Sequence, residues 1–158
     1  MSSNYQKLVH RLEETSRLGG IMGILHWDQE VIMPVGAAES RAKQMGVLAG
    51  IIHEKNTDPV IGDLLDKLSQ ENSFNSFEIC NINEARRQYE METKVPKSLV
   101  MELAELSSKG HQVWVKARSE NKFSDFAPFL SQLIELKKRW AQYVAPNMEP
   151  YDANIDIY

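Results

Sequence analysis

The chain has 158 residues, of which 42% are hydrophobic and 25% charged, so it is long enough for one soluble domain with a buried core. Its net charge of −4 gives no general attraction to nucleic acid, and its longest uncharged apolar run, residues 18–27, is too short to cross a bilayer. The polar N-terminus does not resemble a secretory signal, and the single cysteine cannot form an internal disulfide, which favours a cytoplasmic location.

Apolar residues recur at helical spacing along most of the chain, so the predicted fold is all-α, an array of about six long helices joined by short turns. We expect a helical domain over residues 1–145 and a non-helical tail over residues 146–158, whose apolar residues either pack back on the helices or meet protein that normally follows. The predicted helices, in chain order, run from about 4 to 33, from 37 to 55, from 59 to 70, from a cap at Ser73 or Asn75 to 93, from Pro96 past Ala117, and from a cap at Ser124 to Pro146.

Three glycines, Gly19, Gly20 and Gly23, fall in the middle of the first predicted helix. Each costs about 1 kcal/mol of helix stability relative to alanine, so we expect a structural reason for their presence. The expected reason is the close approach of a neighbouring helix, with a bend in the helix as the alternative. Cys80 lies among isoleucines and is expected to be a small buried hydrophobic residue.

Two stretches contain residue types that bind metals. His26 and Glu30 lie one turn apart on one helical face and could supply two ligands, although a local hydrogen-bonded pair beside a core Trp27 is favoured. His53 and Glu54 look like the start of a His-Glu-x-x-His zinc motif, but Thr57 stands where the second histidine is needed. We therefore interpret His53 as a histidine that interacts with the C-terminal end of its helix.

Several stretches together resemble the N-terminal part of the carboxypeptidase Taq family of metallocarboxypeptidases. They are "HWDQEVIMP" (26–34), "GAAESRA" (36–42), most of residues 84–144, and "PYDANIDIY" (150–158). The resemblance covers nearly the whole chain, and Asn154-Ile155 departs from the pair of leucines that is usual in the family. The end of the chain resembles a family segment that continues, so a truncation point within a longer sequence is expected.

The resemblance implies a cytoplasmic, mostly helical peptidase that removes C-terminal residues from peptides, with zinc or cobalt on a His-Glu-x-x-His helix. No position of this chain matches that helix, so no catalytic or metal residue is assigned, and the chain is expected to be inactive alone. It would instead form a wall and lid of the substrate groove, and the full enzyme is expected to act as a homodimer. The candidate groove residues are Trp27, Asp28, Gln29 and Arg41.

A second hypothesis comes from a different class of function. The chain would be a stand-alone helical module that self-associates or binds a partner helix through the surface that a missing catalytic part would cover.

Overall fold

The computed structural model describes residues 3–155 of the chain. This part contains seven α-helices and a single turn of 3-10 helix, Val35–Ala37, and no strand. The helices are α1 Ser3–Val31, α2 Ala38–Asn56, α3 Pro59–Leu68, α4 Ser76–Glu92, α5 Lys97–Ser119, α6 Phe123–Val144 and α7 Pro150–Ile155. The all-α prediction is confirmed. Within residues 3–155, no helix combines the length and apolarity that a bilayer span requires.

Local sequence explains several helix boundaries. The Asp58 side chain accepts a hydrogen bond from the Val60 amide at the start of α3, where Pro59 occupies the first turn. Asn75 and Glu78 form a reciprocal capping box at the start of α4. These signals lie within a few residues of the boundaries that they set, and the sequence predicted both helices within about two residues.

The predicted Ser124 cap of α6 is wrong. Helix α6 begins at Phe123, directly after the turn that ends α5. In that turn Asn121 has a φ of 54°, and the Lys122 amide donates to the Ala117 carbonyl over 2.7 Å. This is a Schellman-type ending, in which asparagine replaces the more common glycine. It reverses the chain so quickly that Ser124 already lies inside the next helix.

The tail prediction is wrong for residues 150–155, which form α7. The Asn154 side-chain amide donates to the Lys137 carbonyl over 3.4 Å, and Ala153 is buried, so α7 packs back on α6. Asn154 also donates to the Pro150 carbonyl over 2.7 Å within α7 itself. Residues 156–158 of the predicted tail lie outside the described residues.

The buried apolar residues form two clusters. The first joins the N-terminal half of α1 to α3 and α4 and consists of Tyr5, Leu8, Ile61, Leu64, Leu65, Leu68, Ile82 and Ala85. The second lies between α5 and α6 and centres on Val95, Leu99 and Leu136. Helix α2 links the two clusters, because it packs against both α1 and α5.

Close helix packing occurs at glycines other than those expected. A β-carbon at Gly46 would lie 2.5 Å from the Glu105 side chain, and one at Gly50 would lie 2.8 Å from the Lys97 side chain, so α2 and α5 approach closely there. No atom lies within 4 Å of the β-carbon positions of Gly19, Gly20 and Gly23. The expectation that these three glycines admit a neighbouring helix is therefore wrong among the described residues.

Candidate functional site

The end of α1 and the start of α2 hold all four candidate groove residues. Arg41 of α2 donates from Nη1 to the Leu25 carbonyl over 2.6 Å, and its Nη2 pairs with the Asp28 carboxylate. The Arg41 side chain is 13% exposed and that of Asp28 is 32% exposed. A second ion pair, Lys55 Nζ to Glu14 over 2.7 Å, joins the last turn of α2 to the middle of α1. The two helices are therefore antiparallel, and Arg41 fixes the end of α1 against α2.

Gln29 is buried and points into the molecule. The hydroxyl of Ser108, in the middle of α5, donates a hydrogen bond to the Gln29 side-chain oxygen. Both residues are among the few buried polar residues of the described chain. A buried amide needs such partners, because an unpaired polar group away from water is destabilising. Gln29 therefore positions α1 on α5 and has no free surface for a substrate.

Trp27 is the candidate with free surface, and its interpretation as a core residue is wrong. Its relative exposure is 56%, and other apolar side chains of the same half of α1 are also exposed. We call this surface the α1 stripe, which consists of Ile21, Ile24, Trp27 and Val31. Spacings of three and four residues place them along one broad side of the helix. The end of α1 thus presents an aromatic side chain on a helix that Arg41 and Gln29 hold in place.

His26 and Glu30 do not form a metal site or the favoured local pair. Both side chains are exposed, and no hydrogen bond or ion pair joins them in the part of the chain that is described. Within residues 3–155, no cluster of three or more histidine, cysteine, aspartate or glutamate side chains is arranged to hold a metal ion. The donor atoms present therefore do not fit a metal of the zincin type.

His53 is buried at the last turn of α2. Burial lowers the pKa of its imidazole, and a hydrogen bond with the Val95 backbone opposes this effect. The positive charge of Lys97 also lowers this pKa. The neutral form is therefore favoured, whereas a strong interaction with the helix dipole requires the cation. His53 thus lies buried on the side of α2 that faces the start of α5, where burial favours its neutral form.

A smaller sequence interpretation concerns Cys80. Cys80 is exposed, so the expectation that it is buried is wrong.

The comparison with protein families identifies this architecture. The profile described as "Carboxypeptidase Taq (M32) metallopeptidase" matches residues 7–158. The chain belongs to the carboxypeptidase Taq family. Thermostable carboxypeptidase 1 of Thermus thermophilus is 32% identical over 98% of this chain, and carboxypeptidase 1 of Bacillus subtilis is 31% identical over 93%.

Solved structures of carboxypeptidases have the same helical arrangement. The BsuCP crystal structure matches 99% of this chain with a TM-score of 0.93 and 28% identity. Trypanosoma cruzi metallocarboxypeptidase 1 matches 98% with a TM-score of 0.74. The chain covers 32% of each of these two structures and 32% of the Thermus protein. It therefore spans about a third of the length of its relatives and corresponds to an N-terminal portion of the carboxypeptidase Taq fold.

One residue of this region was missed by sequence reasoning. Ser108 lies 79 residues from Gln29, and its flanking sequence on α5 contains no motif that marks it. Helical spacing predicts which residues share a face, but it does not predict which faces meet.

Proposed function

We propose that this chain forms a wall and lid of the substrate groove of a metal-dependent carboxypeptidase and that it has no catalytic activity by itself. The observation that carries the proposal is the match of 99% of this chain to 32% of the BsuCP structure. The sequence contains no His-Glu-x-x-His, since His10, His26, His53 and His111 lack that motif. When bound in a carboxypeptidase of this family, the metal activates water for hydrolysis of a peptide bond. In this proposal the chain itself orients the peptide.

The four candidate residues have different roles in the proposed groove wall. Trp27 has exposed aromatic surface that can pack against a peptide side chain. Asp28 and Arg41 hold the last turns of α1 on α2, and Gln29 holds the same turns on α5. Trp27 is therefore proposed as the residue that contacts the peptide, and the other three as residues that position it.

The first experiment compares two proteins. One is this chain purified alone, and the other is the Bacillus subtilis carboxypeptidase 1 in which this chain replaces the matched third. We expect the chain alone to hold no stoichiometric zinc or cobalt and to leave a synthetic peptide intact, while the chimera removes its C-terminal residue. Metal and trimming by the chain alone would refute the proposal, and so would a folded chimera without peptidase activity.

Substitution of Trp27 tests the proposed groove contact in that chimera. Trp27→Ala is expected to raise KM about three- to tenfold with a small change in kcat, because a contact made equally in ground and transition states affects binding alone. Phe77→Ala is the matched control, since Phe77 is an exposed aromatic residue on a different helix, α4. Equal effects of the two substitutions would contradict a specific role for Trp27.

A second candidate function is that of a self-association module, and the α1 stripe is the observation that favours it. Exposed apolar surface of this kind is typical of protein interfaces. Sedimentation equilibrium of the chain alone distinguishes the candidates. A dimer that Trp27→Asp converts to monomer would favour self-association, and a monomer would favour the groove wall.

A further inference from the structure

A crevice of about 270 Å³ opens where helices from both core clusters meet. Its apolar lining includes Met22 of α1, Ile52 of α2, Met91 of α4 and Trp140 of α6. All of its lining residues are buried or half-buried, so it is a concave site rather than a flat patch of surface. Ligand sites in proteins are typically about 300–1,000 Å³, so this volume suits a small ring compound and not a peptide.

A carboxylate without a cationic partner lies in this apolar lining. Glu92, near the end of α4, accepts a hydrogen bond of 3.2 Å from the Asn56 side chain. No lysine or arginine of the described residues forms an ion pair with it, whereas most other glutamates at helix surfaces here have such partners. An ionised carboxylate away from water is destabilised unless a cation or several donors compensate it.

We propose that this crevice binds a small primary ammonium compound. Its cationic nitrogen would donate to the Glu92 carboxylate, and its apolar body would pack against Ile52, Met91 and Trp140. Charge complementarity selects this class of ligand, because Glu92 offers a carboxylate without a cationic partner among the described residues, at the edge of a mainly apolar space. Neutral compounds of the same shape fill the space without compensating that charge.

The surroundings of Glu92 contain few other charges. His53 of α2 lines the same crevice, and its burial favours the neutral imidazole. Lys97 of α5 pairs with Glu54 over 2.5 Å. Lys137 of α6 lies 5.7 Å from the centre of the Trp140 ring and makes no ion pair with Glu92. The carboxylate therefore remains available to a cation from solution.

The proposed contact has a defined pH dependence. Burial raises the pKa of the Glu92 carboxyl, and the Asn56 hydrogen bond partly opposes this. The ionised form binds the ammonium group, so the affinity is expected to rise with pH through this raised pKa and then to level off. Protonation of His53 at low pH would act in the same direction. A His53→Gln variant that keeps the pH dependence assigns it to Glu92.

The experiment is a titration of the purified chain with benzylamine and, separately, with benzyl alcohol. Binding is followed by nuclear magnetic resonance at the Trp140 indole N–H, whose signal is assigned by its loss in Trp140→Phe. We expect saturable shifts and an affinity for benzylamine about tenfold higher than for benzyl alcohol above the pKa of Glu92. Absence of saturable binding, or equal affinity for the two compounds, would overturn the proposal.

Two carboxylate variants make the test specific. Glu92→Gln is expected to remove the preference for benzylamine while benzyl alcohol still binds, which shows that the crevice is intact. Glu90→Gln is the matched control, because Glu90 is exposed and lies on the same helix. Retention of the preference in Glu92→Gln would refute the assignment. If that variant does not fold, the pH profile of the unmodified chain decides, since an affinity that does not change with pH contradicts the proposed contact.

Discussion

The two halves of α1 both carry apolar residues at helical spacing but differ in what covers them. In the N-terminal half, Tyr5 and Leu8 are buried against α3 and α4, and the Asn81 side chain donates to the Tyr5 hydroxyl over 2.9 Å. In the C-terminal half, Ile24 and Val31 are 66% and 62% exposed. The helical period is continuous across both. Periodicity thus predicts the helix but not the presence of a partner for each of its faces.

The charges along α1 follow the same division. In the N-terminal half, Arg17 pairs with Glu13 on the surface over 3.0 Å, whereas residues 18–27 carry no charged side chain. A solvated helix face normally carries charges, and a contiguous apolar one is typical of a binding surface. Because the C-terminal half of α1 presents this uncharged apolar surface, we assign the proposed groove wall to that half.

The largest expected effect is the difference between truncating an apolar residue of the N-terminal half and truncating one of the C-terminal half. Leu8 is 1% exposed, so Leu8→Ala is expected to lower the free energy of unfolding by about 2–5 kcal/mol through lost burial and a cavity. Ile24→Ala removes a side chain that is mostly in water and is expected to change it by less than about 0.5 kcal/mol. Urea unfolding of both variants gives the two free energies of unfolding to be compared. Similar losses would mean that Ile24 is covered in solution.

The second prediction concerns Gln29, the buried polar residue of the C-terminal half. Gln29→Ala leaves the Ser108 hydroxyl without its partner and is expected to cost about 1–3 kcal/mol of stability. The double variant with Ser108→Ala should cost less than the sum of the two single variants, because the orphaned hydroxyl is gone. The control is Gln142→Ala, because Gln142 is an exposed glutamine. Strict additivity in urea unfolding would argue against the Gln29–Ser108 contact.

The glycines are expected to give smaller effects than Leu8 or Gln29. Gly23→Ala should stabilise the chain by about 0.5–1 kcal/mol, since nothing lies within 4 Å of the new methyl group and alanine favours the helix. Gly46→Ala should have the opposite sign, because its methyl group would meet Glu105. Thermal unfolding measures both. A loss of stability in Gly23→Ala would show that this face of α1 is covered in solution.

Much of the fold could be predicted, and the candidate site only in part. Asn75 and Pro59 set helix starts through atoms within one turn, so local sequence was sufficient there. The start of α6 was missed because the turn at Asn121 decides it, and α7 was missed because its six residues are stabilised by packing on α6. The four candidate residues do lie together around the connection between α1 and α2. The sequence did not distinguish the exposed Trp27 from Asp28, Gln29 and Arg41, which hold the end of α1 in place.

The sequence by itself determined the helical class, most helix boundaries and the family, because these depend on side-chain period, capping atoms within one turn, and matched motifs. Tertiary structure alone decided which glycines allow close packing, where Gln29 finds its partner, and that Glu92 lies beside a mainly apolar crevice without a cationic partner among residues 3–155. The physical reason is the separation along the sequence over which each interaction acts. Capping and periodicity act between residues a few positions apart, whereas burial and pairing depend on faces that meet only when distant helices pack.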